Sequence, residues 1–263
     1  MSTPTLPDVT TRRAPALGGF NLTLVRLELR RLLRNRRTVI FTLVMPIVFF
    51  LMFGLNAQYA DRSAGHGNWS ASIMVSMAAY GAMLGTTSSG ASVAVERSLG
   101  WSRQLRLTPL NPAAYIVVKL LLALAVGLTS ILAVYVAGLV SHKPSMPVSL
   151  WIVTALLAWA GSLVFAAFGL FMGYLLPSEN VMQILGPVLA ILAFLGGLFI
   201  PLDEGSVLAT IAQFTPMYGL NGLVHAPLTT APFKVTWVVN LVTWLLLFST
   251  GAVWRFRRDT ARV

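Results

Sequence analysis

Residues 70–112 read SASIMVSMAAYGAMLGTTSSGASVAVERSLGWSRQLRLTPLNP, an apolar stretch that runs directly into a basic one. The apolar part, 70–95, is long enough to cross a bilayer core, which takes about 20 residues of helix. The basic part, 96–112, contains Arg97, Arg103 and Arg106. Because basic residues beside a span stay on the cytoplasmic side during insertion, this stretch predicts a membrane helix whose C-terminal end faces the cytoplasm.

The same alternation runs through the whole chain of 263 residues, of which 56% are hydrophobic and only 10% charged. Eight of the 19 Lys and Arg residues precede residue 38, three lie in 96–112 and four lie from Arg255 onward. Hydropathy predicts six spans, at about 38–57, 70–95, 114–140, 148–175, 180–200 and 235–254. The fold class expected is therefore an all-α polytopic membrane protein with six transmembrane helices, both termini in the cytoplasm, and a bacterial inner-membrane location.

The segments outside the spans differ in composition. Residues 1–19 predict a flexible cytoplasmic tail, and 20–37 predict an amphipathic helix in the membrane interface, facing either lipid phosphates or a partner protein. A six-span domain then covers 38–254, followed by a basic tail at 255–263. Within that domain, 201–232 contains four prolines and predicts re-entrant or external helices between spans five and six. The basic face of the interfacial helix carries Arg26, Arg30, Arg34 and Arg37.

Several classes of function are disfavoured by what the sequence lacks. It has no Cys, no G-x-x-x-x-G-K-[ST] phosphate loop, no G-x-S-x-G and no H-E-x-x-H. The basic residues flank spans instead of forming a nucleic-acid-binding patch, so anionic lipid is the expected electrostatic partner. We expect a non-catalytic chain without a metal site or a nucleic-acid partner, which would draw energy for transport from another protein.

Ionisable residues are expected only at the margins of the spans. Ion-coupled carriers usually bury such residues at membrane depth, so their absence from the middle of the predicted spans argues against a self-powered carrier. Lys119, at the start of span three, is expected to extend to the cytoplasmic interface. His66, His142 and His225 are expected in external connections, with no assigned role.

Small residues repeat at four-residue spacing in two of the predicted spans. Gly81, Gly85 and Ser89 do so in span two, and Gly169 and Gly173 in span four. Such repeats allow two helices to approach closely. They are expected to pack within the chain in preference to between chains.

The loop at 96–112 has the composition of a protein-docking surface. A helix from 96 to about 107 would expose Trp101 and Leu105 on one side, rimmed by arginines. An interfacial helix lying among lipid headgroups would fit the same composition. Glu96 is expected to pair with a nearby basic group, either beside Arg97 or on the arginine face of the N-terminal helix. The candidate docking residues are Glu96, Arg97, Leu99, Gly100, Trp101, Arg103, Leu105 and Arg106.

Four short motifs follow one another in this loop: Glu96–Arg97, Gly100, Gln104–Leu105–Arg106 and Thr108–Pro109–Leu110. Together they resemble the cytoplasmic loop of the ABC-2 family of ABC exporter permeases. The stretch Gly196–Leu202, followed by Pro216, is similar to the end of that family's fifth span, and the basic N-terminal helix resembles its connecting helix. The drug and antibiotic exporter branch, of the daunorubicin-resistance type, is the most similar. The chain departs from many relatives in having a single acidic residue at the head of the loop.

The resemblance implies an ABC-2 exporter fold and an ATP-driven exporter of amphipathic drugs, antibiotics or lipid-like molecules. It implies a homo- or heterodimer of permeases with two copies of a separate ATPase, which binds ATP and Mg. The 96–107 helix would transmit ATPase closure, and spans two and five would open outward. Exporters of lipid-linked polysaccharides and passive channels or structural membrane proteins remain alternatives. Met residues in a span are more often ordinary lipid-facing or packing residues than part of a pathway. The candidate pathway residues are Met74, Met77, Tyr80, Met83, Leu84, Thr87, Leu185, Leu189 and Leu192.

Overall fold

The computed structural model describes residues 30, 40–56, 58, 60–100, 112–200, 202 and 205–261. Apart from one two-stranded hairpin, the regular structure of this part of the chain is helical. The elements in chain order are α1 (Ile40–Gly54), β1 (Ser63–Ala64), β2 (Gly67–Asn68), α2 (Trp69–Ala91), α3 (Val93–Ser98), α4 (Pro112–Ser141), α5 (Val148–Gly161), α6 (Leu163–Leu175), α7 (Ser178–Leu195), α8 (Val207–Ala212), α9 (Pro216–His225) and α10 (Val235–Ala261).

Four helical segments in the described residues are long and apolar enough to cross a membrane. They are Tyr115–Ser141 in α4, Val148–Leu175 across α5 and α6, Ser178–Leu195 in α7, and Val235–Phe256 in α10. These segments match predicted spans three to six closely, and they confirm an all-α polytopic membrane protein. α10 also continues through most of the predicted basic tail at 255–263.

α2 occupies the centre of the bundle and coincides with predicted span two. Its 23 residues are almost all buried, although Gly, Ser and Thr make its inner half less apolar than the outer helices. At 1.5 Å per residue such a helix is about 34 Å long, enough to cross a bilayer core. Because neighbouring helices cover α2 on all sides, it needs little lipid-facing apolar surface.

α1 is shorter and irregular. It contains an α-helical turn, Met45–Phe49, between two wider π-helical turns, Ile40–Val44 and Phe50–Gly54. Pro46 begins the α-helical turn and packs on Gly81 of α2, where an added Cβ would lie 3.1 Å from the proline ring. Pro46 therefore lies at a change of helix geometry.

Close helix packing occurs where the glycine repeats lie. An added Cβ on Gly169 of α6 would lie 2.8 Å from Cα of Thr87 in α2, and one on Gly173 would lie 3.1 Å from the Ala91 carbonyl oxygen. Gly85 instead faces Val126 of α4. Both predicted small-residue faces thus pack within the chain, which joins α2, α4 and α6 into one tight unit.

Two short helices, α8 and α9, lie in the proline-rich connection predicted to contain re-entrant or external helices. Ser206 caps α8 through a hydrogen bond from the Ala209 amide, and Thr215 caps α9 through one from the Tyr218 amide. Pro216 occupies the first turn of α9, where a missing amide hydrogen costs nothing. The prolines of this connection therefore start a helix as well as interrupting the spans.

Candidate functional site

A buried ion pair lies at the base of the 96–112 loop. The Lys119 ammonium of α4 contacts Oε1 of Glu96 on α3 at 2.5 Å, and the two side chains are only 4% and 5% exposed. The Tyr115 hydroxyl donates to Oε2 of the same carboxylate at 2.5 Å. Charges taken out of water are tolerated when they are paired and their remaining hydrogen-bonding atoms are satisfied, and this arrangement meets both conditions.

The local sequence explains how these groups meet. Tyr115 and Lys119 are four residues apart on α4 and therefore project from the same face. α3 follows α2 after a single break at Ser92, which turns Glu96 toward α4. The ion pair thus joins the end of predicted span two to the start of span three, and so ties together the two ends of the loop.

Arg97 extends the same cluster to two further helices. Its guanidinium donates to the carbonyl oxygens of Gly173 at 3.1 Å and Tyr174 at 3.0 Å, in the last turn of α6. Carbonyls there lack partners within the helix, and a cation complements the helix dipole. Arg97 also lies 5.6 Å from the centroid of the Tyr174 ring, which packs edge-on against Phe256 of α10. We call Glu96, Arg97, Tyr115, Lys119 and Tyr174 the loop-base cluster.

The structure corrects two expectations about this region. A continuous helix over 96–107 is wrong, because α3 ends at Ser98 and Gly100 adopts a φ of 73°, a left-handed conformation typical of helix ends. Lys119 does not extend to the interface but turns inward to Glu96. Of the candidate docking residues, Leu99 is exposed, whereas Trp101, Arg103, Leu105 and Arg106 lie outside the described residues.

The predicted interfacial helix at 20–37 is described at one position only. Arg30 is helical and exposed. Arg26, Arg34 and Arg37 lie outside the described residues, as does the tail at 1–19. The lipid- or protein-facing role of this helix stays a prediction.

The candidate pathway residues are packed inside the chain. Met74, Met77 and Met83 of α2 are fully buried, and Leu185 and Leu189 of α7 share the same core with them. Leu84 and Leu192 pack at its edge, and Tyr80 is 9% exposed. Thr87 faces elsewhere, because its hydroxyl donates to the Phe165 carbonyl of α6 at 3.3 Å. Met74 lies against Gly138 of α4, so these residues share one core but not one face of α2, and their contact with a passenger stays a prediction.

A cluster of aromatic rings lies beside these residues and was not foreseen. The Tyr80 ring centroid is 5.2 Å from that of Phe199 and 6.1 Å from that of Phe49, and Phe199 is 4.9 Å from Phe194. These rings come from α1, α2 and the end of α7. Aromatic spacing within one helix gave no sign of it, since the contacts join separate elements.

The contacts of His225 are a second feature that the sequence did not reveal. It ends α9, between spans five and six as expected, and its half-buried side chain lies against α2. Its Nδ1 lies 3.0 Å from the Asn221 carbonyl oxygen, and its Nε2 lies 3.2 Å from both the Ser76 hydroxyl and the Ser72 carbonyl oxygen. Burial lowers the pKa of His225, so the neutral imidazole is favoured.

Comparison with known proteins gives two matches. The sequence profile of a family described as ABC-2 type transporter matches residues 21–228. A protein of Bacillus subtilis (strain 168), YvfS, which carries the name of a transport permease, is 28% identical over 195 residues. The aligned part covers 73% of this chain and 78% of that protein. The profile match includes the loop-base cluster and continues through α9.

Proposed function

This chain belongs to the ABC-2 type transporter family and is a membrane permease component of an ABC transporter; we propose that it exports amphipathic drugs, antibiotics or lipid-like molecules from the cytoplasm or inner leaflet. The observation that carries the coupling of this chain to an ATPase is the loop-base cluster, whereas the passenger class rests on the resemblance of the 96–112 loop to drug and antibiotic exporters. A loop anchored to several helices can pass a movement to them. A loop held only by its own chain ends would absorb that movement.

Energy for transport enters from a separate ATPase in this proposal. The sequence has no phosphate loop, so ATP and Mg bind to the partner. Two ATPase copies and a second permease copy complete the exporter. ATP binding biases the equilibrium between inward- and outward-open states, because the closed ATPase pair fits one state better than the other.

The loop-base cluster supplies the path for that bias. The Glu96–Lys119 pair joins the ends of α3 and α4, and Arg97 joins α3 to α6. A push on the loop therefore displaces these helix ends together. The exposed Leu99 lies at the edge of the loop and is proposed, with Trp101, as part of the ATPase-docking surface.

The proposed topology has six spans, with α1 and α2 as the first two and both termini in the cytoplasm of a bacterial cell. α8 and α9 then lie at the outer side, as external or re-entrant helices. This placement follows from the basic residues at the termini and in the 96–112 loop. It puts the loop-base cluster on the side where a cytoplasmic ATPase can reach it.

The experiment that tests the function is transport in reconstituted vesicles with the partner ATPase. We expect transport to require ATP and to be lost without the ATPase. Transport driven by a pH gradient alone, or passive flux without nucleotide, would contradict the proposal and favour a carrier or a channel. If the exporter transports only a lipid-linked polysaccharide, the drug-export proposal is wrong and the polysaccharide-exporting branch of the same family is favoured.

Two variants separate docking from transmission. Trp101→Ala should remove an aromatic anchor. Loss of such an anchor typically costs about 2–4 kcal/mol of binding free energy, so the affinity for the ATPase should fall roughly 30- to 1,000-fold and less ATPase should co-purify. Glu96→Gln should keep the complex but lower substrate-stimulated ATP turnover, because the loop base is weakened. If both variants assemble and transport like the wild type, the docking and transmission roles are wrong.

A further inference from the structure

We propose that Asn221 and His225 of α9 form a latch that holds the outer ends of α2 and α7 together when the exporter is at rest. The inference rests on the proposed function, which places α9 on the outer side of the membrane. It deepens that function by naming the groups that separate when a passenger leaves between spans two and five. We call Ser72, Ser76, Asn221 and His225 the α9 latch.

On the span-five side, the latch caps the end of α7. The Asn221 side-chain amide donates to the carbonyl oxygens of Gly196 at 3.0 Å and Gly197 at 3.1 Å. These carbonyls follow the last turn of α7, where the helix itself supplies no partner. Met217 of α9 also packs directly over Gly196, with no room for a Cβ between them. α9 is therefore held to α7 by two hydrogen bonds and by close packing.

On the span-six side, α9 packs too closely against α10 to separate easily. A Cβ on Gly222 would lie 2.5 Å from the Trp237 indole, and one on Gly219 would lie 2.8 Å from the Trp237 carbonyl oxygen. Backbone-to-backbone approach of this kind depends on glycine and gives extensive van der Waals contact. α9 should accordingly move together with α7 and α10.

On the span-two side, the hydrogen bond between α9 and α2 comes from one imidazole, while the remaining contact between the two helices is apolar packing. Both contacts of Nε2 with α2, to the Ser76 hydroxyl and to the Ser72 carbonyl oxygen, measure 3.2 Å. In the neutral ring, Nδ1–H donates to the Asn221 carbonyl oxygen and Nε2 accepts from the Ser76 hydroxyl, so the Ser72 carbonyl oxygen, itself an acceptor, contacts Nε2 without a hydrogen bond. The other described bond on this side is from the His66 amide to the Leu228 carbonyl oxygen, and it reaches only the hairpin before α2. The latch should thus open between His225 and α2.

The latch can be opened by mutation without unfolding the protein. When the imidazole is removed, the Ser76 hydroxyl can turn to the carbonyl four residues earlier in its own helix, so no buried hydroxyl is left unsatisfied. Ser76→Ala removes the same contact from the other side with a minimal change in volume. His225→Gln keeps a side chain that can hydrogen-bond to the Ser76 hydroxyl and serves as the conservative variant.

The test measures access to the core from outside. The chain has no cysteine, so Met83→Cys introduces a unique thiol, fully buried and two turns along the α2 face from Ser76. The complex with the ATPase is placed in proteoliposomes without nucleotide, and a membrane-impermeant maleimide is added outside. We expect His225→Leu to raise the labelling rate about tenfold, the usual effect of losing one buried hydrogen bond. Ser76→Ala should raise the labelling rate as well. With His225→Gln, the rate should stay near that of Met83→Cys alone, in which the latch is intact.

The matched control is Thr229→Ala. Its hydroxyl donates only within the turn after α9, to Ala226 at 3.3 Å, so labelling should not change. Unchanged labelling in both His225→Leu and Ser76→Ala would overturn the latch, and if the first fails to fold, the second decides. If ATP does not increase the labelling of Met83→Cys alone, the proposed exporter function is contradicted. The latch is still tested in that case, because the latch variants are compared without nucleotide.

Discussion

Glu96 and Lys119 lie 23 positions apart in the chain and meet inside the protein as a charged pair. The net contribution of a buried ion pair to stability is small, because desolvation offsets most of the attraction. Removal of one member is different, since it leaves the other charge buried and uncompensated. The pair is therefore better understood as a positional constraint on two helix ends than as a source of stability.

This asymmetry leads to a prediction at the residue scale. Lys119→Met should lower the free energy of unfolding by about 3–5 kcal/mol, because the Glu96 carboxylate loses its countercharge. The double variant Glu96→Gln/Lys119→Met should recover much of that loss. Thermal or denaturant unfolding in detergent measures both. Lys143→Met is the matched control, because its contact with Asp61 is 3.9 Å long and exposed, and its effect should be negligible.

A double variant as unstable as the sum of its single variants would show that the two charges act independently. If the pair is a constraint on motion, the double variant should also fold and bind the ATPase while transport per ATP stays below that of the wild type. Recovery of both stability and transport would remove any role of the charges in transmission.

At the residue scale, the sequence predicted that Glu96 matters but did not reveal its partner. Hydropathy places Lys119 near the end of a span, and a long basic side chain there usually reaches toward water. Only the angle between α3 and α4 decides that it turns inward. The contacts of His225 could not be predicted for the same reason, because its position in a connection says nothing about the serines of α2 that it contacts.

At the element scale, the four most apolar spans could be predicted because bilayer thickness fixes how many apolar residues a crossing helix needs. The breaks inside predicted spans two and four could not. They occur at Ser92 and Ser162, whose hydroxyls donate to carbonyls three residues earlier, each at 2.7 Å. Such bonds compete with regular helix geometry, but most serines in membrane helices form them without breaking the helix.

The contact between α2 and α6 gives a prediction at the element scale. Gly169→Ala should destabilise the protein by about 1–3 kcal/mol, because the new Cβ would lie 2.8 Å from Cα of Thr87, and a backbone cannot yield as a side chain can. Gly186→Ala is the control within α7. Outside its two chain neighbours, nothing lies within 4 Å of a Cβ there, and the helix propensity gained by alanine is opposed by the ring of Pro187, so the effect on stability should be small.

Unfolding midpoints of the two variants in detergent would check this contrast. Equal, small effects would mean that α2 and α6 can separate at little cost and do not form one tight unit. Such a result would also weaken the transmission of movement from the loop base, since Arg97 acts on the end of α6.

At the scale of the whole molecule, the candidate pathway is inseparable from the resting packing. Met77 and Met83 are buried in one chain, and the ring of Tyr80 packs against Phe199. In the proposed export, a passenger can reach these side chains only after the helices packed around α2 have moved apart. Composition allowed a Met-lined pathway but did not distinguish it from a core, because flexible Met side chains suit both.

The distribution of charge over the whole molecule predicts its orientation in the membrane. Reporters fused near residues 105 and 263 should report the cytoplasm, and reporters near 64 and 143 the outside, because basic residues gather at alternate connections. The contacts in the fold independently determine which of these four positions lie on the same side of the membrane. Asn68 donates to the Lys143 carbonyl oxygen at 2.7 Å, so the regions of residues 64 and 143 must share one side. Arg97, Tyr174 and Phe256 are in contact, so the loop and the C-terminal end must share one side as well.

Charge and packing can therefore fail separately in a reporter experiment. An external signal at both 105 and 263, with 64 and 143 internal, would contradict the charge argument and place α9 and its latch in the cytoplasm, while the packing argument would stand. Opposite signals at 64 and 143 would contradict the packing itself. The expected result satisfies both, since the connections that contact one another in the structure are also those that share a charge pattern in the sequence.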